Sequence, residues 1–310
     1  DGSPLVLAVP GEAVALHWLD LPDLAPAQAA AAARMALADR LAEADPHITV
    51  APGSGLRPVA VVAREQMAGW LAEAARALPP SQVERRVHDA GNGEAFRLLE
   101  DDAHPAESIA AGGAASQWIM LRYIEQLPAY RALLERLLAE LAPVIGRVTG
   151  PVCDIKGFVF ISAPGTHTPF HFDAEYNILF QIAGDKVFAA YPPGPPYLDL
   201  ARREAYHRAG ENMLDWHPDY AAAGEKHLLS PGDALFVPYA APHWVHAGDQ
   251  PSISLSVTWQ CAKTRAVADA LSLNPLLRRV GLPAYDPLAK PSPPWLRAAA
   301  SRVGQRIGLL

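Results

Sequence analysis

The chain has only two cysteines, Cys153 and Cys261, in 310 residues. That count excludes a disulfide framework, and a reduced interior is the simpler reading. No run of about 18 apolar residues occurs, so the sequence holds no candidate membrane-spanning helix. Basic runs are missing too, and the formal net charge is −7, which argues against nucleic acid and anionic membranes as partners. Charged residues make up only 19% of the chain against 50% hydrophobic, enough to fill a sizeable core, so disorder is not its default state. Lysine is scarce, five against 21 arginines, which makes each lysine worth explaining. A reduced interior makes cytoplasmic residence the expectation, and the opening residues Asp1-Gly2-Ser3-Pro4, which show no signal-peptide pattern, leave an upstream targeting segment open.

Proline, by contrast, is abundant. The thirty prolines cluster in stretches such as 192–196 and 283–294, which implies long ordered loops. The length suits one large domain or two small ones. Residues 26–45 are alanine-rich with Met35, Leu37 and Leu41 and read as a helix stopped before Pro46. Arg64–Leu78 and Ala129–Ile145 carry apolar residues at helical spacing, 88–113 reads mostly as connection, and Gln117–Tyr123 as a strand. From Gly157 the pattern turns to short strands: Phe158–Ser162, a hairpin of Asn177–Ile182 and Lys186–Tyr191, and Ala234–Pro238. Residues 252–259 alternate strictly, with Ile253, Leu255, Val257 and Trp259 on one face and Ser252, Ser254, Ser256 and Thr258 on the other. That polar face suits either a barrel interior taking a polar ligand or a solvated sheet. After Lys263 helical signals return, with an amphipathic segment over 293–309. The expected layout is a helical region over 1–112 packing on a barrel, a β core over 113–262 and a helical region over 263–310. The β core suits a double-sheet jelly roll with a site at its mouth.

The chemistry centres on His171-Phe172-Asp173 and the distant His243. Residues i and i+2 of a strand share a face, so His171 and Asp173 converge while Phe172 turns into the core. His243 follows a strand end and the turn Tyr239–Pro242, where a jelly roll can deliver a third ligand. Two imidazoles and a carboxylate make the facial triad of non-haem Fe(II) oxygenases, which suits Mn(II) and Zn(II) less specifically. Three protein ligands leave the site open, hence catalytic rather than structural. His246 competes for the ligand role but faces away at i+3 from His243, and His167 would pair with His171 only on a helix. Lys186, fifteen residues past His171, either pairs with an anion inside or protects a sheet edge in solvent.

These residues carry a resemblance. Gly165, five residues, His171-Phe172-Asp173 and later Gly184 resemble the first cupin motif, with aspartate for its second histidine. Gly232, five residues, Pro238, Ala240, two residues and His243 resemble the second, departing at Ala240, where it has glycine, and at Ala247, where it has asparagine. The run from Thr168 through Asn177, followed by Gln181–Lys186, resembles the JmjC and cupin-like hydroxylases. That family includes the asparaginyl hydroxylase of hypoxia-inducible factor and its bacterial relatives. The likeness covers roughly 115–262, and it implies a double-stranded β-helix (jelly-roll, cupin) core depending on Fe(II) and 2-oxoglutarate. By that likeness His171, Asp173 and His243 hold iron. Lys186 pairs with the distal carboxylate of 2-oxoglutarate, Thr168 hydrogen-bonds to it, and Asn177 and Thr258 line its pocket. The implied reaction takes O2 and hydroxylates a C–H bond of a protein or peptide side chain or an amino-acid-like small molecule. The C-terminal segment is then a candidate homodimerisation element.

Two other classes fit the same residues: a metal-dependent cupin enzyme that does not use 2-oxoglutarate, and a non-catalytic binding jelly roll. Residues 192–231 read as a long irregular insert at the barrel mouth, in which Trp216-His217-Pro218-Asp219-Tyr220 resembles a stretch of the same hydroxylases. This insert and the N-terminal third are expected to shape substrate choice.

Overall fold

The computed structural model describes residues 15–41, 46–51, 53–99, 105–111 and 117–308. The expected helix end at 42–45, parts of the 88–113 connection and Leu310 lie outside them. The N-terminal region is more mixed than a helical reading predicts. Strands β1 (Ala15–Leu21), β2 (His47–Val50) and β3 (Gly55–Val62) form an antiparallel sheet in the order β1-β3-β2, covered by α1 (Pro26–Ala36). Pro58 within β3 and the alanines around it conceal the strand pattern, since proline is a poor strand signal. Helix α2 (Arg64–Ala77), strand β4 (Val83–Arg86), α3 (Pro105–Ala110), β5 (Trp118–Arg122) and α4 (Pro128–Thr149) follow.

The core is built from eight strands: β6 (Cys153–Ser162), β7 (His167–His171), β8 (Tyr176–Ala183), β9 (Lys186–Ala190), β10 (Glu225–Leu229), β11 (Ala234–Val237), β12 (His243–Ala247) and β13 (Ser252–Gln260). One sheet has the order β11-β8-β13-β6, continued by β5 and β4; the other has the order β10-β9-β12-β7. Strands that alternate between two facing antiparallel sheets in this way make a jelly roll, here a double-stranded β-helix. Between β9 and β10 stand α5 (Leu200–Ala209) and α6 (Tyr220–Ala223), so the insert is an ordered cover rather than an irregular loop. Asp199 caps α5 by accepting from the Arg202 amide at 2.8 Å, and Gly210 ends it at φ +75°. Helices α7 (Ala262–Arg279) and α8 (Trp295–Arg306) close the chain. None of the described helices is long and apolar enough to cross a membrane.

The main core lies outside the barrel. Leu255, Val257 and Trp259 of β13 pack with Val159, Ile161 and Ile178 against Leu71, Ile109, Leu134 and Leu137 of the helices. Ser252, Ser254, Ser256 and Thr258 therefore face inward and are buried, which decides for the barrel interior over a solvated sheet. Strand β6 begins five residues before the expected Phe158. Gly157 disguises it: a Cβ there would sit 2.6 Å from both Ile124 and Leu134, so helical packing demands the glycine.

Candidate active site

His171 ends β7 and stands opposite His243, the first residue of β12. Asp173 lies two residues past the strand rather than on it, yet still converges. The ligand atoms of these three side chains lie within 4.8 Å of one another, with His243 Nε2 3.7 Å from Asp173 Oδ2. Both imidazoles are aimed by their backbone. His171 Nδ1 donates to the Pro169 carbonyl at 2.7 Å, and His243 Nδ1 to that of Ala241 at 3.0 Å. A carbonyl only accepts, so each Nδ1 carries the proton and each Nε2 lone pair is free for a metal. His243 is buried, and burial, then the neighbouring His171, holds its pKa well below the usual value; the ligand form is the neutral one. Phe188 stacks on its ring at 4.7 Å.

Asp173 is fixed at two points. Its carbonyl accepts from the Ala240 amide at 3.1 Å, and Asn212 Nδ2 lies 3.5 Å from its Oδ1, leaving Oδ2 toward His243. Ala240 has φ +58°, a left-handed conformation that explains why the cupin motif prefers glycine there. Asn212 has no signal in the sequence. It reaches the site because the residues after α5 run beside β7, with His171 bridged to Met213.

Deeper in the barrel, Lys186 shares the inward face of β9 with Phe188. It is 4% exposed, and among the described residues no hydrogen bond or ion pair reaches its ammonium; burial lowers its pKa from 10.5 to about 7. An edge-strand lysine in solvent is thereby excluded, because β9 is interior to its sheet. His243 is level with Ala190 and Lys186 with Ala247, so four residues, about 13 Å of strand, separate the triad from this lysine's backbone. A bulge between β7 and β12 puts Thr168 opposite Val245, which packs inside the barrel. Asn177 and Thr258 stand opposite each other on β8 and β13. Ser256 donates to Asn177 Oδ1 at 2.8 Å, and the buried Thr258 hydroxyl has no partner among the described residues. All seven residues singled out in the sequence thus converge on one barrel. His246 and His167 pair on its outer face, their rings 5.8 Å apart, and are not ligands of this cluster. Trp216 and Tyr220 are packing residues, enclosed with Phe170 and Tyr191 in an aromatic cover.

No family description and no curated protein matches the chain. Among solved structures it is similar to YcfD of Escherichia coli, with 18% identity, a TM-score of 0.41, and coverage of 77% of this chain and 59% of that one. The YcfD structure described as a ribosomal oxygenase in complex with cobalt and 2-oxoglutarate matches at 17% identity and TM-score 0.40, over 70% of this chain and 50% of that one. The DMSP lyase DddQ of Ruegeria pomeroyi DSS-3 matches at 22% identity and TM-score 0.23, over 35% and 39%. The chain thus spans about half the length of the YcfD structures it resembles. At these scores the likenesses decide nothing about chemistry, which rests on the residues themselves.

Those residues fit a metal and an anion together. Two free Nε2 lone pairs and one carboxylate oxygen form an open donor set for a divalent ion. An unpaired buried ammonium and an orphaned buried hydroxyl are both costly unless a polar ligand meets them.

Proposed function

We propose that the chain is an Fe(II)- and 2-oxoglutarate-dependent oxygenase that hydroxylates a C–H bond of a protein or peptide side chain or an amino-acid-like metabolite. One observation carries this reading: Lys186, buried without a counter-ion among the described residues, faces the interior of a barrel whose mouth holds the His171, Asp173 and His243 cluster. Bound Fe(II) and 2-oxoglutarate supply oxidative decarboxylation of the keto acid by O2, coupled to hydroxylation. The protein's part is binding and aim. His171, Asp173 and His243 hold the metal and leave positions open, while Lys186 charge-pairs with the far carboxylate of the co-substrate. Thr168, Asn177 and Thr258 supply hydrogen bonds along it. Phe188 and the interior cluster of Leu179, Leu229 and Val237 make the surroundings of Lys186 apolar, which strengthens its pull on an anion. The exposed stripe of Leu296 and Val303 on α8 and Ile307 just past its end suits self-association of two copies.

A metal cupin without a dicarboxylate co-substrate keeps the triad but leaves Lys186 buried for nothing. Calorimetric titration separates the two. Under anaerobic conditions the Fe(II)-loaded protein is expected to bind 2-oxoglutarate, and under air to convert it slowly to succinate. Lys186→Ala is expected to weaken that binding about 100-fold and leave metal affinity unchanged. Equal loss of both, or no binding by the wild type, defeats the reading.

A further inference from the structure

A second lysine of this lysine-poor chain also points into the barrel. Across β6, β13 and β8, Lys156 stands opposite Thr258, and Thr258 opposite Asn177. Directly opposed residues of an antiparallel ladder project to the same face, so these three share the inward one. From β6, Lys156 reaches across the inner face of β13 to Glu175, with Nζ 2.5 Å from Oε1. Glu175 immediately precedes β8, two residues beyond Asp173, and is 9% exposed. The ion pair therefore spans the pocket side of Thr258, whose hydroxyl is closed off from solvent with no partner among the described residues.

Most exposed lysine–glutamate pairs position nothing, because both chains wander. This one is restrained. The Lys156 ammonium lies 5.9 Å from the centre of the Tyr123 ring, and Arg122 covers the same ring at 5.1 Å. Tyr123 packs on Phe158 at 5.5 Å and holds a left-handed backbone at φ +57°. A bulky residue keeps that conformation only where its surroundings impose it.

We propose that the Lys156–Glu175 pair is a strap across the solvent side of the co-substrate pocket, and that both are positioning residues. It holds a dicarboxylate against Thr258 and Asn177 and retards its escape. The inference rests on the oxygenase reading, and its consequence is kinetic: removing the strap speeds release of 2-oxoglutarate more than it alters metal binding. Release is measured by chasing labelled 2-oxoglutarate from the Mn(II)-loaded protein with unlabelled compound. Lys156→Met and Glu175→Gln are each expected to speed release about tenfold, and the double variant no further, because either change removes the whole pair. Lys156→Arg keeps the pair and is expected to restore slow release. Near-UV circular dichroism establishes that each variant is folded; if Lys156→Met fails to fold, Glu175→Gln and Lys156→Arg decide alone. Unchanged release in a folded variant, or additive effects, overturns the strap and leaves the oxygenase reading intact. A wild type that binds Mn(II) but no 2-oxoglutarate overturns both.

Discussion

Lys186 titrates where few lysines do, and the direction of its effects follows from that. Its folded pKa of about 7 lies below the unfolded value, so the folded protein binds fewer protons between pH 7 and 10.5. Stability without ligand is therefore expected to rise across that window, since the cost of burying the charge is fully present below pH 7 and fades above it. Co-substrate binding runs the other way. A dicarboxylate beside Lys186 raises its pKa, so binding above pH 7 takes up a proton, and affinity falls by up to about tenfold per pH unit. Titrations in buffers of different ionisation enthalpy at pH 7 and 9 measure the uptake; an affinity flat across that range removes the pairing. Asn212 touches Asp173 Oδ1 instead, which makes it a positioning residue for a metal held by that carboxylate. Asn212→Ala is expected to lower metal affinity about 10- to 100-fold while leaving the fold's thermal midpoint near wild type.

At the scale of elements, the β8–β9 hairpin sets the depth of Lys186. Gly184 turns it at φ +63°, and a Cβ there would lie 2.4 Å from the Pro251 carbonyl oxygen. Gln181 holds the same turn, its Nε2 donating to the carbonyls of Ala183 and Gly184 at 2.7 and 2.6 Å. Gly184→Ala is expected to cost about 2 kcal/mol or more, read as a lowered urea midpoint, and to weaken 2-oxoglutarate binding because Lys186 loses its register. Helix α5 does comparable work on the other wall. It packs Tyr206 on Phe172 at 5.2 Å and leads the chain to Asn212, so the insert supports the ligand carboxylate and the aromatic cover together.

For the whole molecule, polar links tie α7 to that insert and α8 to α7. Glu204 of α5 accepts from Asn274 at 2.7 Å and from Arg278 of α7, while Arg302 of α8 pairs with Asp269 of α7 at 2.6 Å. On its far side α8 leaves Leu296 and Ile307 88% and 64% exposed. Light scattering is expected to give twice the chain mass, and Leu296→Arg with Ile307→Arg to halve it; a monomeric wild type removes self-association from the proposal.

Local chemistry along the chain was enough to pick out the three residues whose ligand atoms the fold gathers within 4.8 Å. The alternation of 252–259 is a pattern of neighbouring residues that strand geometry converts directly into faces, whereas Asp173 converges with His171 from just beyond the end of β7. A jelly-roll core, five of its strands, the central and C-terminal helices and the scarcity of lysine were legible for the same reason, whereas β10 (Glu225–Leu229) lay hidden in the stretch read as irregular. Contacts between distant segments were not legible. The N-terminal strands, the order inside the insert, Asn212 beside Asp173 and Lys156 across from Glu175 depend on which surfaces meet, and no local period encodes that. Lys186 shows the division most plainly: its offset from His171 was visible in the sequence, but only the closed barrel decided that it is buried with no partner among the described residues.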